Sequence, residues 1–82
     1  MSYNNPTPHQ SMTLTQAERS TEARRILTML REESKDDLER KLTGKAKSFV
    51  ESKWLEMDFG GKLEHITIDQ YWWLVDIWSK FA

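Results

Sequence analysis

The chain has 82 residues, with four tryptophans, no cysteine and a formal net charge of −1 at pH 7. A chain of this length forms one domain with a small core, and the lack of cysteine excludes disulfide scaffolds and cysteine-based zinc modules. The nearly neutral charge provides no global field that draws a protein to DNA or to an anionic membrane. The longest uninterrupted apolar run, residues 71–75, is too short to span a bilayer, and the N-terminal residues lack a secretory signal pattern. We therefore expect a cytoplasmic protein without a membrane partner.

Residues 1–12 have the composition of a disordered arm. They hold both prolines, and Tyr3 is their one large apolar residue besides methionine. We expect a solvated tail here, in preference to a peptide that folds on a partner. Residues 13–82 are expected to form a single helical domain.

The first helix is expected to begin at a capping box. Thr15 and Glu18 have the spacing at which each side chain accepts a backbone N–H of the other residue. Apolar residues follow at the helical spacing i, i+3, i+4 and i+7, which predicts one buried face. These residues are Ala23, Ile26, Leu27 and Leu30.

The next segment, residues 31–41, is almost entirely charged, with both signs mixed, which is typical of a solvated face. Two interpretations remain open for it. Ser34 can cap a second helix that carries Leu38 and Leu42 on its inner side, or one helix can run through residues 16–42.

Gly44 is expected to break the chain, and a third helix then covers residues 45–58 until Gly60 and Gly61 end it. Its apolar stripe consists of Ala46, Phe49, Val50, Trp54 and Met57. Lys53 projects into this stripe, where an unpaired ammonium is costly. We expect its stem to pack there while the charge reaches solvent or pairs with Glu56, in preference to binding a ligand.

The last helix has a second capping box, Thr67 with Gln70, and Ile66 and Tyr71 have the spacing of a hydrophobic staple. At 100° per residue, its polar residues share one narrow arc: Asp69, Asp76 and Lys80. The middle of the opposite, apolar arc contains Tyr71, Leu74, Val75, Ile77, Trp78 and Phe81. A helix with so wide an apolar arc is either surrounded by the other helices of its own chain or meets another copy of the chain or a partner along one edge.

Two tryptophans of this helix, Trp72 and Trp73, lie at opposite edges of the apolar arc, whereas Trp78 lies deep within it and is expected to be core. An edge tryptophan beside polar residues is typical of a partner anchor. The predicted partner-binding residues are therefore Trp72, Trp73, Asp76 and Lys80. The elements together predict an all-α bundle of three or four helices.

Catalytic and metal-binding patterns are not found in the sequence. His9 and His65 have no ligand or nucleophile at a useful spacing, so no catalytic residue, metal or cofactor is predicted. Residues 43–48 resemble a phosphate loop, but Glu39 stands where that loop requires glycine. An anion could still bind at this basic helix start, through Arg40, Lys41, Lys45 and Lys47. A solubilising patch is the favoured interpretation, because acidic neighbours largely cancel its field.

Residues 49–80 resemble a segment of small phage proteins in which an aromatic-bearing helix is followed by glycine, a Thr cap, a Gln and a Trp-rich helix. The matching positions are Phe49, Val50, Gly60, Gly61, residues 66–74 and Ile77. The resemblance implies a phage or prophage origin and a role in host takeover or in blocking host defence. It carries no catalytic residues.

The sequence thus predicts a small non-catalytic interaction protein that self-associates. Its expected partner is a host protein of defence or replication, which it modulates or inhibits through the Trp-rich helical surface. The alternative is a binder of nucleic acid or a nucleotide through the basic residues around Lys45.

Deleting residues 1–12 should leave the melting temperature within a few degrees of the full chain, because their composition lacks the apolar periodicity of a packed element. Thermal melts followed by circular dichroism test this. A large drop would show that the arm packs on the domain.

Overall fold

The computed structural model describes residues 14–81, apart from the side chain of Lys62. Its elements in chain order are helix α1 (Gln16–Arg31), helix α2 (Lys35–Lys41), helix α3 (Gly44–Leu55), a π-helical turn (Glu56–Gly60), a 3₁₀ turn (Lys62–His65) and helix α4 (Ile68–Ser79). The predicted all-α fold is confirmed, with four α-helices in the described range. The predicted disordered arm, residues 1–12, lies outside that range. None of the described helices combines the length and the apolar character needed to cross a bilayer.

Helix α1 begins at the predicted capping box. The Thr15 hydroxyl accepts the Glu18 N–H at 3.1 Å, and the Glu18 carboxylate accepts the Thr15 N–H at 2.8 Å. Hydrogen bonds from Thr15 hold the pKa of the Glu18 carboxyl below its ordinary value. The backbone N–H of Thr15 has the larger effect and the hydroxyl the smaller one. The charged carboxylate also suits the positive end of the helix dipole.

The charged segment after α1 forms a separate helix, so the single helix over residues 16–42 is wrong. The chain leaves the helical conformation at Ser34, whose backbone is extended. The Ser34 hydroxyl accepts the Asp37 N–H at 3.1 Å and thereby caps α2. Leu42, just beyond α2, is buried, and Leu38 packs against the core at partial exposure.

The core is built on the predicted stripe of α1, all four members of which are buried. The other elements contribute Leu42, Val50, Leu63, Ile66, Tyr71, Leu74 and Ile77. Trp54 fastens α3 to α1, because its indole N–H donates to the Leu27 carbonyl at 3.0 Å. The Arg31 guanidinium lies 5.5 Å from the centroid of the Trp54 ring and holds both carboxylate oxygens of Asp58, at 3.0 and 3.2 Å.

The α-helical part of α3 ends at Leu55, three residues earlier than expected, because the chain widens into a π turn there. The Gly61 N–H donates to the Glu56 carbonyl at 3.0 Å and closes this wide turn. Gly61 has a φ of +64°, the left-handed conformation that glycine adopts without steric cost. The predicted stop at the glycine pair is therefore confirmed at Gly61.

Helix α4 starts at its predicted capping box, in which Thr67 and Gln70 exchange hydrogen bonds. Gln16 of α1 donates its side-chain N–H to the Ile66 carbonyl at 2.7 Å, which ties the starts of the two helices together. The buried side chains within α4 are Tyr71, Leu74 and Ile77.

Trp78, which the sequence predicted to lie within the core, is only half-buried and packs against the core from its margin. Helix α4 packs chiefly on α1 and is not enclosed by the other helices, so the buried stripe is narrower than the apolar arc. Trp78 lies beside that stripe, with its ring stacked on Phe81 at a centroid distance of 6.0 Å. The exposed part of the Trp78 ring therefore forms an apolar edge along α4.

Two threonines at helix starts provide a matched test of capping. Thr67 caps α4 with its hydroxyl, whereas Thr43 at the start of α3 makes no such bond. Thr67→Ala should cost about 1 kcal/mol, a fall of roughly 4–8 °C in melting temperature for a domain of this size. Thr43→Ala should change stability by about 0.5 kcal/mol or less. Equal losses in thermal melts would contradict the assignment.

Candidate functional site

An open, shallow groove of about 780 Å³ lies on the surface between α3 and α4. Helix α3 contributes six of its lining residues and α4 contributes two. The lining consists of Gly44, Lys45, Ser48, Phe49, Ser52, Lys53, Gln70 and Trp73. We call it the aromatic groove.

Phe49 and Trp73 form the apolar part of the aromatic groove. Their rings stack with centroids 4.3 Å apart and planes 15° apart, an arrangement worth about 0.5–1.5 kcal/mol beyond the area it buries. The backbones of α3 and α4 approach each other at few points, so this ring pair is a principal junction between them. Trp73 nevertheless keeps 39% of its surface exposed, which leaves apolar area available to a partner.

Lys53 lies beside Phe49 and is only 7% exposed. Its ammonium donates to both carboxylate oxygens of Glu56, at 3.0 and 3.1 Å, and lies 5.6 Å from the centroid of the Phe49 ring. The predicted pairing with Glu56 is confirmed. The pair neutralises the charge of Lys53, and the ammonium stiffens the position of Phe49 through a cation–π contact.

The remaining polar groups of the aromatic groove are mostly donors without a partner. Lys45 forms no ion pair within residues 14–81, and the hydroxyls of Ser48 and Ser52 take part in no hydrogen bond of the described chain. Gln70 uses its side-chain oxygen to accept the Thr67 N–H at 3.2 Å, which leaves its amide NH₂ group unbonded. A ligand rich in acceptors would therefore find several donors here.

The structure separates the four predicted partner-binding residues. Trp73 lines the aromatic groove, but Trp72 is half-buried and packs edge-on against Tyr71 at a centroid distance of 5.6 Å. Asp76 and Lys80 are exposed and lie outside the groove lining. Trp73 is thus the predicted residue that the geometry places in a concave site.

The four predicted anion-binding residues do not form one site either. Arg40 pairs with Asp37, and the ammonium of Lys41 lies 5.3 Å from the centroid of the Phe81 ring. Lys45 lines the aromatic groove, whereas Lys47 lines a smaller depression together with Trp54. Two of the four cations are therefore already engaged within the chain.

The polar lining that the sequence did not indicate consists of Ser48, Ser52 and Gln70. Lys45, Ser48 and Ser52 are spaced i, i+3 and i+7, so they share one face of α3. This spacing was the signal available in the sequence. Hydrophilic residues at that spacing are also typical of an ordinary solvated helix face. Only the position of α4 beside this face distinguishes a groove lining from a solvated face.

No group of three or more His, Cys, Asp or Glu residues within the described range has the geometry to hold a metal ion. His65 is exposed, and His9 lies outside that range. Compared with protein-family models, with curated proteins and with solved structures, the chain gives no significant match. The described residues thus form a small all-α fold that carries one aromatic groove between α3 and α4.

The Lys53–Glu56 pair yields a test of the support beneath the groove. Glu56→Gln leaves a buried ammonium without its counter-charge and should cost about 1–3 kcal/mol. Lys53→Met keeps the apolar stem and removes the charge, so it should be close to neutral. Urea denaturation of both variants measures the difference. Equal stability of Glu56→Gln and Lys53→Met would contradict a structural role for the Lys53–Glu56 pair.

Proposed function

We propose that this chain is a small non-catalytic interaction protein that docks a partner protein in the aromatic groove. The observation that carries the proposal is the exposed Trp73, which is stacked on Phe49 in a groove between two helices. Tryptophan held rigidly at the surface is the residue type most enriched among the few that dominate binding energy at protein interfaces. A stacked, pre-positioned ring also loses little conformational freedom when a partner binds.

We infer that the partner is a bacterial host protein of defence or replication, which the chain modulates or inhibits in the host cytoplasm. The support is the resemblance of residues 49–80 to a segment of small phage proteins. Both rings of the aromatic groove, Phe49 and Trp73, lie within those residues. The resemblance therefore covers the aromatic part of the groove, whereas Gly44, Lys45 and Ser48 precede the resembling segment.

Self-association forms part of the same proposal and uses a different surface. Leu55, the last residue of α3, and Phe59, in the π turn that follows, are 60% and 84% exposed. Large apolar side chains exposed together favour a contact with another protein surface. Neither residue lines the aromatic groove.

A second candidate, binding of a nucleotide or nucleic acid, is favoured by the start of α3. Thr43 does not cap this helix with its side chain, so backbone N–H groups beside Gly44 and Lys45 remain available to an anion. Salt separates the two candidates, because phosphate contacts lose affinity steeply as salt rises whereas an apolar interface does not.

The test of the leading proposal uses the full chain as bait in a bacterial lysate, followed by quantitative mass spectrometry. Trp73→Ala should reduce the affinity for the captured protein by about 2 kcal/mol or more, which is roughly 30-fold. Phe59→Ala is the matched control, since it removes a more exposed aromatic ring outside the groove. Thermal melts establish that each variant is folded.

A folded Trp73→Ala variant that captures the same protein at full strength would contradict docking in the aromatic groove. If only Phe59→Ala abolished capture, the docking surface would lie at the π turn and not in the aromatic groove. Loss with Trp72→Ala alone would transfer it to the other edge of α4.

A further inference from the structure

The lining of the aromatic groove has a charge of one sign, and we propose that its occupant is an acidic peptide segment bearing a large apolar side chain. This inference rests on the proposed function and adds the chemical class of the partner. The apolar side chain packs on the exposed part of Trp73. The acidic residues beside it lie next to Lys45, at the end of the groove where α3 begins.

The charge distribution is the first argument. The chain has 13 Asp and Glu residues, yet the described lining of the groove has none and includes two lysines. Glu56 already compensates one of these lysines, Lys53, at 3.0 Å. Lys45 is exposed and forms no ion pair with any residue of the range 14–81, so within that range the groove presents one uncompensated positive charge. Complementary charge across an interface selects partners and steers their approach.

The hydrogen-bonding groups are the second argument. The Lys45 ammonium and the Gln70 amide NH₂ can only donate, and both are without a partner in the described chain. Ser48 and Ser52 follow Lys45 along the same face of α3, and their hydroxyls form no hydrogen bond within residues 14–81. A peptide segment supplies matching acceptors through its carboxylates and its backbone carbonyls. An isolated small anion would use Lys45 and leave Trp73 uncovered.

The experiment measures binding of fluorescein-labelled peptides to the full chain by fluorescence anisotropy. The probe has a central Trp-Leu pair flanked by Glu and Asp. One matched peptide replaces the acidic flanks with Lys, and another keeps the acidic flanks around a Gly-Ser centre. Each replacement should weaken binding by about tenfold or more, because it removes one of the two required features. Inorganic phosphate, added as a competitor, tests whether a small anion suffices.

Two variants of α3 provide the matched control on the protein side. Lys45→Glu should weaken binding of the acidic probe by about tenfold or more, and the loss should shrink as salt screens the charge. Lys47→Glu makes the same change of charge two residues away, in a separate depression. It should alter the affinity by about threefold or less, since an exposed charge acts weakly over distance in salt.

Equal binding of the acidic and Lys-flanked probes would overturn the inference, and so would equal effects of Lys45→Glu and Lys47→Glu. Full displacement of the probe by phosphate would identify the site as one for small anions. If no peptide binds while Trp73→Ala still abolishes capture of the cellular partner, the partner's chemistry is wrong and the docking surface stands. If Trp73→Ala affects neither measurement, the docking surface itself is wrong.

Discussion

Burial of one apolar stripe on α1 is the constraint on which the rest of the fold depends. Helix α4, the 3₁₀ turn and α3 all pack on α1, whose Ala23, Ile26, Leu27 and Leu30 are at most 3% exposed. Each fully buried Leu or Ile contributes about 1.5–3 kcal/mol, which is substantial in a domain whose size leaves a thin margin of stability. The Trp54 hydrogen bond to Leu27 then fixes α3 on α1, and the Arg31–Asp58 pair fixes the π turn that follows α3. The aromatic groove exists because α3 and α4 both pack on α1 yet approach each other closely at few points.

Much of this architecture could be predicted from the sequence because its signals are local. A capping box is decided within four residues, and both boxes, at Thr15 and Thr67, form as expected. The same holds for the stop at Gly61, which needs a left-handed residue, and for the Lys53–Glu56 pair, which lies within one helical turn. The choice between one and two helices over residues 16–42 stayed open because Ser34 is compatible with both until its backbone conformation is known.

Features that depend on the orientation of one helix against another could not be predicted. The apolar arc of α4 is wide, so composition alone does not reveal which part of the arc faces α1. For this reason Trp78 was expected within the core, although it lies beside the buried stripe. The stacking of Phe49 on Trp73 joins residues from separate helices. Similarly, the sequence does not show what the charges of Arg40 and Lys41 contact. In the folded chain, Arg40 pairs with Asp37 and Lys41 lies over the Phe81 ring.

The π turn after α3 has an evolutionary consequence. A wide turn accommodates one more residue per turn than an α-helix, so it can gain or lose a residue without rotating the helix that precedes it. The groove-lining face of α3 lies entirely upstream, and the Gly61 cap lies downstream. Sequence drift in residues 58–60 can therefore remodel the exposed Phe59 and the contact of Asp58 with Arg31, while Glu56 keeps its pair with Lys53 and the groove-lining face of α3 keeps its register. The two surfaces of this small protein are free to diversify at different rates.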